Sequence, residues 1–236
     1  MNILITRPLI DAEDLMGKFF SMGYKIINIP TLKISKANID QINLDDHDVF
    51  IFTSANAVRN ILSTNNDNKK KLCFCVGSIT EKIARQLGFL NTISAGGNVN
   101  ALKNLILNSK EITKNTRIAY FCGDNISSDL DLELIKEGLG IKKIINYLSE
   151  KITDLNNENK KILKKHPPDV ILVYSVRSAQ SFIEIVKNYT LYPIMTESTV
   201  MCISKKVAEI FKKDGWKKIK IFNPGDELLQ LKEINL

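Results

Sequence analysis

Two stretches of the chain run from an apolar segment into hydroxyl-rich residues and then into a helix-like pattern. "DVFIFTSANAVRNIL" (Asp48–Leu62) breaks its apolar run at Thr53-Ser54-Ala55-Asn56. "DVILVYSVRSAQSFI" (Asp169–Ile183) does the same at Ser175, with Arg177 and Ser178 following. A turn of this kind, between a strand and a helix, exposes hydroxyls and the unpaired N–H groups of a helix start. Those groups suit phosphate or carboxylate oxygens.

Other turns of similar chemistry recur along the chain. Ligands of parallel α/β sheets sit at the carboxyl ends of the strands. The residues expected there are Arg7; Thr53, Ser54 and Asn56; Gly77, Ser78 and Thr80; Gly96, Gly97 and Asn98; Gly123, Asp124 and Asn125; Ser175, Arg177 and Ser178; Ser204 and Lys205; and Asn223 with Gly225. Ser and Thr at such positions also cap helices, so each turn alone is open to both readings. Several turns facing one cleft would favour anion binding.

Other chemistry finds little support. His47 and His166 each stand just before an apolar run, at the opposite edge from the turns. There is no Gly-rich phosphate loop followed by Lys-Ser/Thr, and no Gly-x-Gly-x-x-Gly. No carboxylate pair or metal-ligand cluster presents itself, and no metal or cofactor is expected. Cys73, Cys75, Cys122 and Cys202 lie inside apolar runs without a Cys-x-x-Cys pair, which suits small buried hydrophobes. An enzyme built this way would work by positioning and electrostatics.

These turns are held by three kinds of unit, each occurring twice. The first is "NILIT", the turn "RP", a helix, Gly23 and "KIINIP", echoed from "RIAYFC" through Gly138 to "KKIINYLS". The second is the pair of stretches quoted above. The third is "LCFCV", "GSIT", a helix, Gly88, "NTIS" and "AGGN", echoed from "VMCIS" through Gly215 to "KIKIF" and "NPGDELLQL". Short, nearly continuous apolar runs predict parallel strands covered on both faces. Alternation with helices predicts an α/β fold. The order one-two-three, repeated, predicts an internal duplication.

The segments "TLKISKANID" (31–40) and "LSEKITDLNN" (148–157) alternate apolar and polar residues and read as paired connecting strands. The expected arrangement is therefore discontinuous. Residues 1–33 and 152–236 form one α/β domain, and 38–147 form a second. Connectors at 34–37 and 148–151 join them across a cleft, and slender connectors would permit hinge closure.

Net charge is +7 on 236 residues, which suits an acidic partner. Nucleic acid is disfavoured, because the Lys runs lack accompanying aromatics and a recognition motif. No apolar run approaches the roughly 20 residues that cross a bilayer, and "MNILITRP" does not resemble a signal peptide. A cytoplasmic monomer without membrane association is expected.

Taken in order, "LITRP" (4–8), "FTSANAV" (52–58), "VGSIT" (76–80) with Ala84 and Gly88, Gly96-Gly97 before a helix, and "VYSVRSAQSF" (173–182) resemble the uroporphyrinogen-III synthase family over essentially the whole chain. The resemblance implies two α/β domains on a two-stranded connector, acting without metal or cofactor. Its implied substrate is hydroxymethylbilane, a linear tetrapyrrole with eight carboxylates. Loss of its hydroxyl as water leaves a cationic azafulvene, and closure through a spiro intermediate inverts ring D to give the type III isomer. Unguided, the same cation closes to type I, so control of geometry is the main catalytic task.

The resemblance also assigns residues. Thr80 would face the cleft with its hydroxyl, and Tyr147 in "IINYLSE" would assist departure of the hydroxyl as water. Thr53, Ser54 and Ser175 would bind carboxylates, and Arg7 would pair with a propionate or acetate or brace its own domain. The chain departs from relatives at two turns. Cys122-Gly123-Asp124-Asn125 stands where many carry Arg and several Gly. Ser204-Lys205-Lys206-Val207 stands where Gly-Pro-Thr-Thr is frequent, so Lys205 or Lys206 would substitute charge for hydroxyls. A non-enzymatic two-domain polyanion-binding module is the alternative.

Overall fold

The computed structural model describes residues 1–38, 42–61 and 65–234. Leu62, which ends the first quoted stretch, and Ile39-Asp40, which end the first linker, lie outside them. The chain begins β1 (Asn2–Ile5), α1 (Leu9–Ser21), β2 (Lys25–Asn28) and β3 (Leu32–Lys36). It continues through β4 (Val49–Phe52), α2 (Ala55–Arg59), α3 (Asn66–Lys70), β5 (Leu72–Cys75), α4 (Ser78–Gln86), β6 (Asn91–Ser94) and α5 (Val99–Leu107). Next come β7 (Arg117–Gly123), α6 (Leu130–Lys136), β8 (Gly140–Lys151), α7 (Asn157–Lys165), β9 (Val170–Val173) and α8 (Val176–Asn188). The chain closes with α9 (Tyr192–Met195), β10 (Thr199–Cys202), α10 (Lys205–Lys213), β11 (Ile219–Ile221) and α11 (Glu227–Lys232).

Two compact units result, Met1–Lys33 with Glu150–Leu236, and Ile34–Ser149. The first holds a sheet ordered β11-β10-β9-β1-β2, in which every pair is parallel. The second holds the order β3-β8-β7-β4-β5-β6, parallel from β8 to β6. Around β3 and β8, Ala37 N donates to Asn146 O, and Ile152 N donates to Thr31 O. Partners that move in opposite directions along the two strands make this pair antiparallel.

The α/β fold follows from two-sided burial. Val49–Phe52 and Val170–Val173 are buried at every position. Alternate residues leave a strand on opposite faces. Phe50 and Phe52 therefore pack with Ala57, Val58 and Ala84, whereas Val49 and Ile51 pack with Leu102, Ile106, Leu130 and Leu134. In the first unit, Ile171 and Val173 meet Phe182 and Phe211, while Val170 and Leu172 meet Ala12, Phe19 and Leu231. Burying each such Phe or Leu contributes roughly 1.5–3 kcal/mol. Gly88 and Gly138, placed at helix ends by the sequence, hold φ values of 93° and 86°, which a side chain would strain.

Three helices were not legible as such. α7 buries a single residue, Leu163, and its one other apolar residue, Ile162, is adjacent in sequence, so no helical period shows. The five-residue α3 and four-residue α9 carry too few positions for a helical period to show. Strand β8 also runs on to Lys151. Tyr147 lies inside it rather than at its end, because the chain continues beside β3.

Candidate functional site

In the second unit, sheet order sets the turns side by side. Moving from β8 to β6, Tyr147 within β8 stands level with the end of β7, and the carboxyl ends that follow carry Gly123-Asp124, Thr53-Ser54, Gly77-Ser78 and Gly96-Gly97. Neighbouring strands lie about 4.8 Å apart, so adjacent turns can touch one extended ligand.

Ser54 is extended at φ −155° and accepts from Asn56 N at 3.1 Å, which makes it the N-cap of α2. Thr53 Oγ1 lies 3.3 Å from Tyr120 OH. Tyr120 is buried, and burial raises its phenol pKa. Asn56 Oδ1 accepts from Arg59 Nη1 at 3.1 Å, so a cation stands one helical turn into α2. Sequence reasoning missed Arg59 and Tyr120, although Arg59 was visible in "SANAVR" at helical spacing from Asn56.

The turns after β5 and β6 are fused. Gly97 N donates to Val76 O at 2.7 Å, and a Cβ on Gly77 would stand 3.1 Å from Gly97 Cα. Gly96 and Gly97 take φ values of 79° and 105° in succession, a conformation open to glycine. Asn98 then caps α5, its Oδ1 accepting from Ala101 N at 2.8 Å. Ser78 is exposed at the first position of α4. Thr80, expected to turn its hydroxyl outward, is only 5 % exposed within α4. What this turn offers is helix-start N–H groups and the Ser78 hydroxyl.

Tyr147 is held by a register shift. Cys122 pairs with Ile145, but Gly123 pairs with Tyr147, which leaves one extra β8 residue at the Cys122/Gly123 step. Such a bulge re-aims the side chains beside it. The ring lies on Gly123 so closely that a Cβ there would be 2.6 Å from Tyr147 Cζ and 2.8 Å from its hydroxyl oxygen. Gly123 is thus a seat for the tyrosine.

In the first unit, β1, β9 and β10 are neighbours and end in Arg7, Ser175 and Ser204. The Arg7 guanidinium lies 3.8 Å from the centre of the Tyr174 ring. A stacked guanidinium keeps its N–H edges for hydrogen bonding. Ser175 accepts from Ser178 N at 3.0 Å, and Ser204 from Val207 N at 3.4 Å. Lys205 and Lys206 are exposed in the first turn of α10, and Arg177 is half-buried in that of α8. Ser178 is 3 % exposed, with its hydroxyl bonded to Thr31 and Thr6. That hydroxyl ties elements of its own unit together.

Ser54, Ser175 and Ser204 therefore do cap helices. Capping uses a lone pair of the hydroxyl and leaves its proton to donate. The two readings of these turns are compatible. The rest of the chemistry is quiet. Burial pushes the thiols up, Cys122 to about 11 and Cys75 and Cys202 to about 12, and Cys73 further in the same direction. His47 precedes β4 and is buried, with its pKa lowered by desolvation. Among the described residues no cluster of His, Cys, Asp and Glu could hold a metal, and no helix is long and apolar enough to cross a membrane.

Fold and turns together define an α/β protein of two units, each with a mainly parallel sheet whose strand ends carry hydroxyls and helix-start N–H groups. The family model described as uroporphyrinogen-III synthase HemD matches residues 13–222. The chain belongs to that family. Uroporphyrinogen-III synthetase from Helicobacter pylori aligns over 100% of this chain and 99% of its own, with 17% identity and a TM-score of 0.66. A mutant uroporphyrinogen III synthase from Thermus thermophilus aligns over 100% and 97%, with 11% identity and a TM-score of 0.56. These two likenesses bear on the fold. No curated protein matches the chain in sequence.

Proposed function

We propose that the chain carries out its family's reaction, formation of uroporphyrinogen III from hydroxymethylbilane in haem biosynthesis, as a cyclising hydro-lyase with Tyr147 as proton donor. The observation that carries this assignment of Tyr147 is the seating of its ring on Gly123, at the carboxyl end of the sheet and one strand from Thr53.

For the carboxylates of hydroxymethylbilane the second unit supplies Thr53, Ser54, Ser78 and the backbone N–H of Gly77, and the first unit supplies Arg7, Ser175, Arg177, Ser204 and Lys205. The Tyr147 O–H transfers its proton to the hydroxyl of the hydroxymethyl group as the carbon–oxygen bond breaks. Water leaves, and the pyrrole nitrogen's electron pair fills the vacated position to give the azafulvene cation. The ring D carbon that bears the bridge attacks it, and one carbon–carbon bond forms to give the spiro intermediate. The old bridge bond then breaks and re-forms at the other α carbon of ring D. Loss of the proton from that carbon restores the pyrrole and balances the one given by Tyr147. The protein's part is to hold ring D in place long enough for this path to win. The enzyme works as a cytoplasmic monomer.

A positioned proton donor contributes about 10²–10⁴-fold in rate. Tyr147→Phe should lower kcat by about 100-fold and leave KM within a few-fold. An unchanged kcat removes Tyr147 from the mechanism. Tight binding of hydroxymethylbilane by the wild-type chain without turnover would instead favour a binding module.

A further inference from the structure

The turn after β7 has a task of its own. Strand β7 ends at Gly123, so the β7–β8 ladder ends opposite Tyr147. Asp124 extends it by one step. Its backbone N donates to Tyr147 O at 3.1 Å, and its Oδ1 accepts from Ser149 N at 3.0 Å. The side chain thus stands in for the carbonyl that the next strand residue would have supplied. The two bonds grip β8 at Tyr147 and two residues beyond it.

On the other side of Tyr147, Asn146 is fully buried, and its Nδ2 donates to Ala57 O at 2.6 Å. The main chain on both sides of the phenol is therefore fixed to the rest of the unit. Without Asp124 Oδ1, the Ser149 N–H has lost its partner, and the bulge is free to relax. The carboxylate's charge offers nothing to a ligand made of carboxylates. Its value is as an acceptor.

We propose that Asp124 is a positioning residue, which fixes the Tyr147 phenol by bonding Ser149 N. The proposal rests on the reading of Tyr147 as proton donor. Its structural half can be observed separately. In Asp124→Ala, kcat should fall about tenfold, a part of what a placed donor contributes, with KM no higher than in the wild type. Asp124→Asn keeps an oxygen acceptor and should restore kcat to within twofold. In a Tyr147→Phe background, Asp124→Ala should cost nothing further.

The independent readout is ¹⁹F NMR of protein carrying 3-fluorotyrosine at its six tyrosines, with the Tyr147 resonance identified by its loss in Tyr147→Phe. That resonance should coincide in the wild type and Asp124→Asn, and shift or broaden in Asp124→Ala. If Asp124→Ala leaves both resonance and kcat unchanged, the proposal is overturned. Equal loss of kcat in the Asn and Ala variants with an undisturbed resonance overturns it too, because charge would then be the cause. If the resonance moves but Tyr147→Phe retains kcat, Asp124 still positions the ring, and the catalytic reading of Tyr147 is what fails.

Discussion

At Gly123 the space that a side chain would need is filled by the Tyr147 ring, with the nearest ring atom 2.6 Å from where a Cβ would stand. Gly123→Ala must push one or the other aside. Overpacking of this kind costs about 1–3 kcal/mol. The displaced phenol should cost at least about tenfold in kcat, and comparing kcat with the unfolding free energy of the variant checks the two effects together. The thiols make a contrasting case. With Cys122 held at about 11 and Cys75 and Cys202 at about 12 by burial, almost no thiolate exists at pH 8. A disulfide reagent should leave the native chain untouched at that pH and titrate four thiols only after denaturation. Rapid labelling of the native protein would show that the apolar packing around them is loose.

Elements are anchored at the opposite edge of the sheet from the turns. Asp48 at the start of β4 accepts from Arg117 N, Nε and Nη2 at the start of β7, at 2.9, 3.2 and 2.7 Å. Hydrogen bonds from Arg117 lower the Asp48 pKa from 3.8 to about 2. A carboxyl with a depressed native pKa stabilises the fold above its unfolded value and loses that contribution as pH falls through the native one. The stability gap between the wild type and Asp48→Asn should therefore be constant above about pH 4 and close between pH 3.8 and about 2. Urea midpoints measured across that range test it. The side chains are largely exposed, so the gap will be small.

Helix starts give a second prediction at the same scale. Ser175→Ala removes the N-cap of the 13-residue α8 and should cost about 1 kcal/mol, read from the shift of the urea midpoint. The elements also explain what the sequence could and could not reveal. Val49–Phe52 and Val170–Val173 were readable because two-sided burial demands unbroken apolar runs. The turn residues followed, since a parallel strand must end in a turn before its helix. The burial of Thr80 and Ser178 was hidden, because a hydroxyl early in a helix points in or out according to neighbours far away in sequence. Ser178 meets Thr31 and Thr6 across 147 and 172 positions. The bulge at Gly123 was hidden for the same reason, as register belongs to a pair of strands.

For the whole molecule, the net charge of +7 meets a substrate of eight carboxylates. Attraction of this kind concentrates the ligand and weakens with salt. The screening length falls from about 10 Å at 0.1 M to about 3 Å at 1 M. KM for hydroxymethylbilane should therefore rise several-fold over that range, while kcat changes little. A KM indifferent to salt would mean that local hydrogen bonds do the binding and the field does not.

The central claim is that the chain overrides the spontaneous closure of a linear tetrapyrrole. It is tested most directly by adding the protein to freshly made hydroxymethylbilane and separating the uroporphyrinogen isomers after oxidation. The account predicts almost entirely type III product at a rate well above background. A type I to type III ratio identical to that without protein would contradict it.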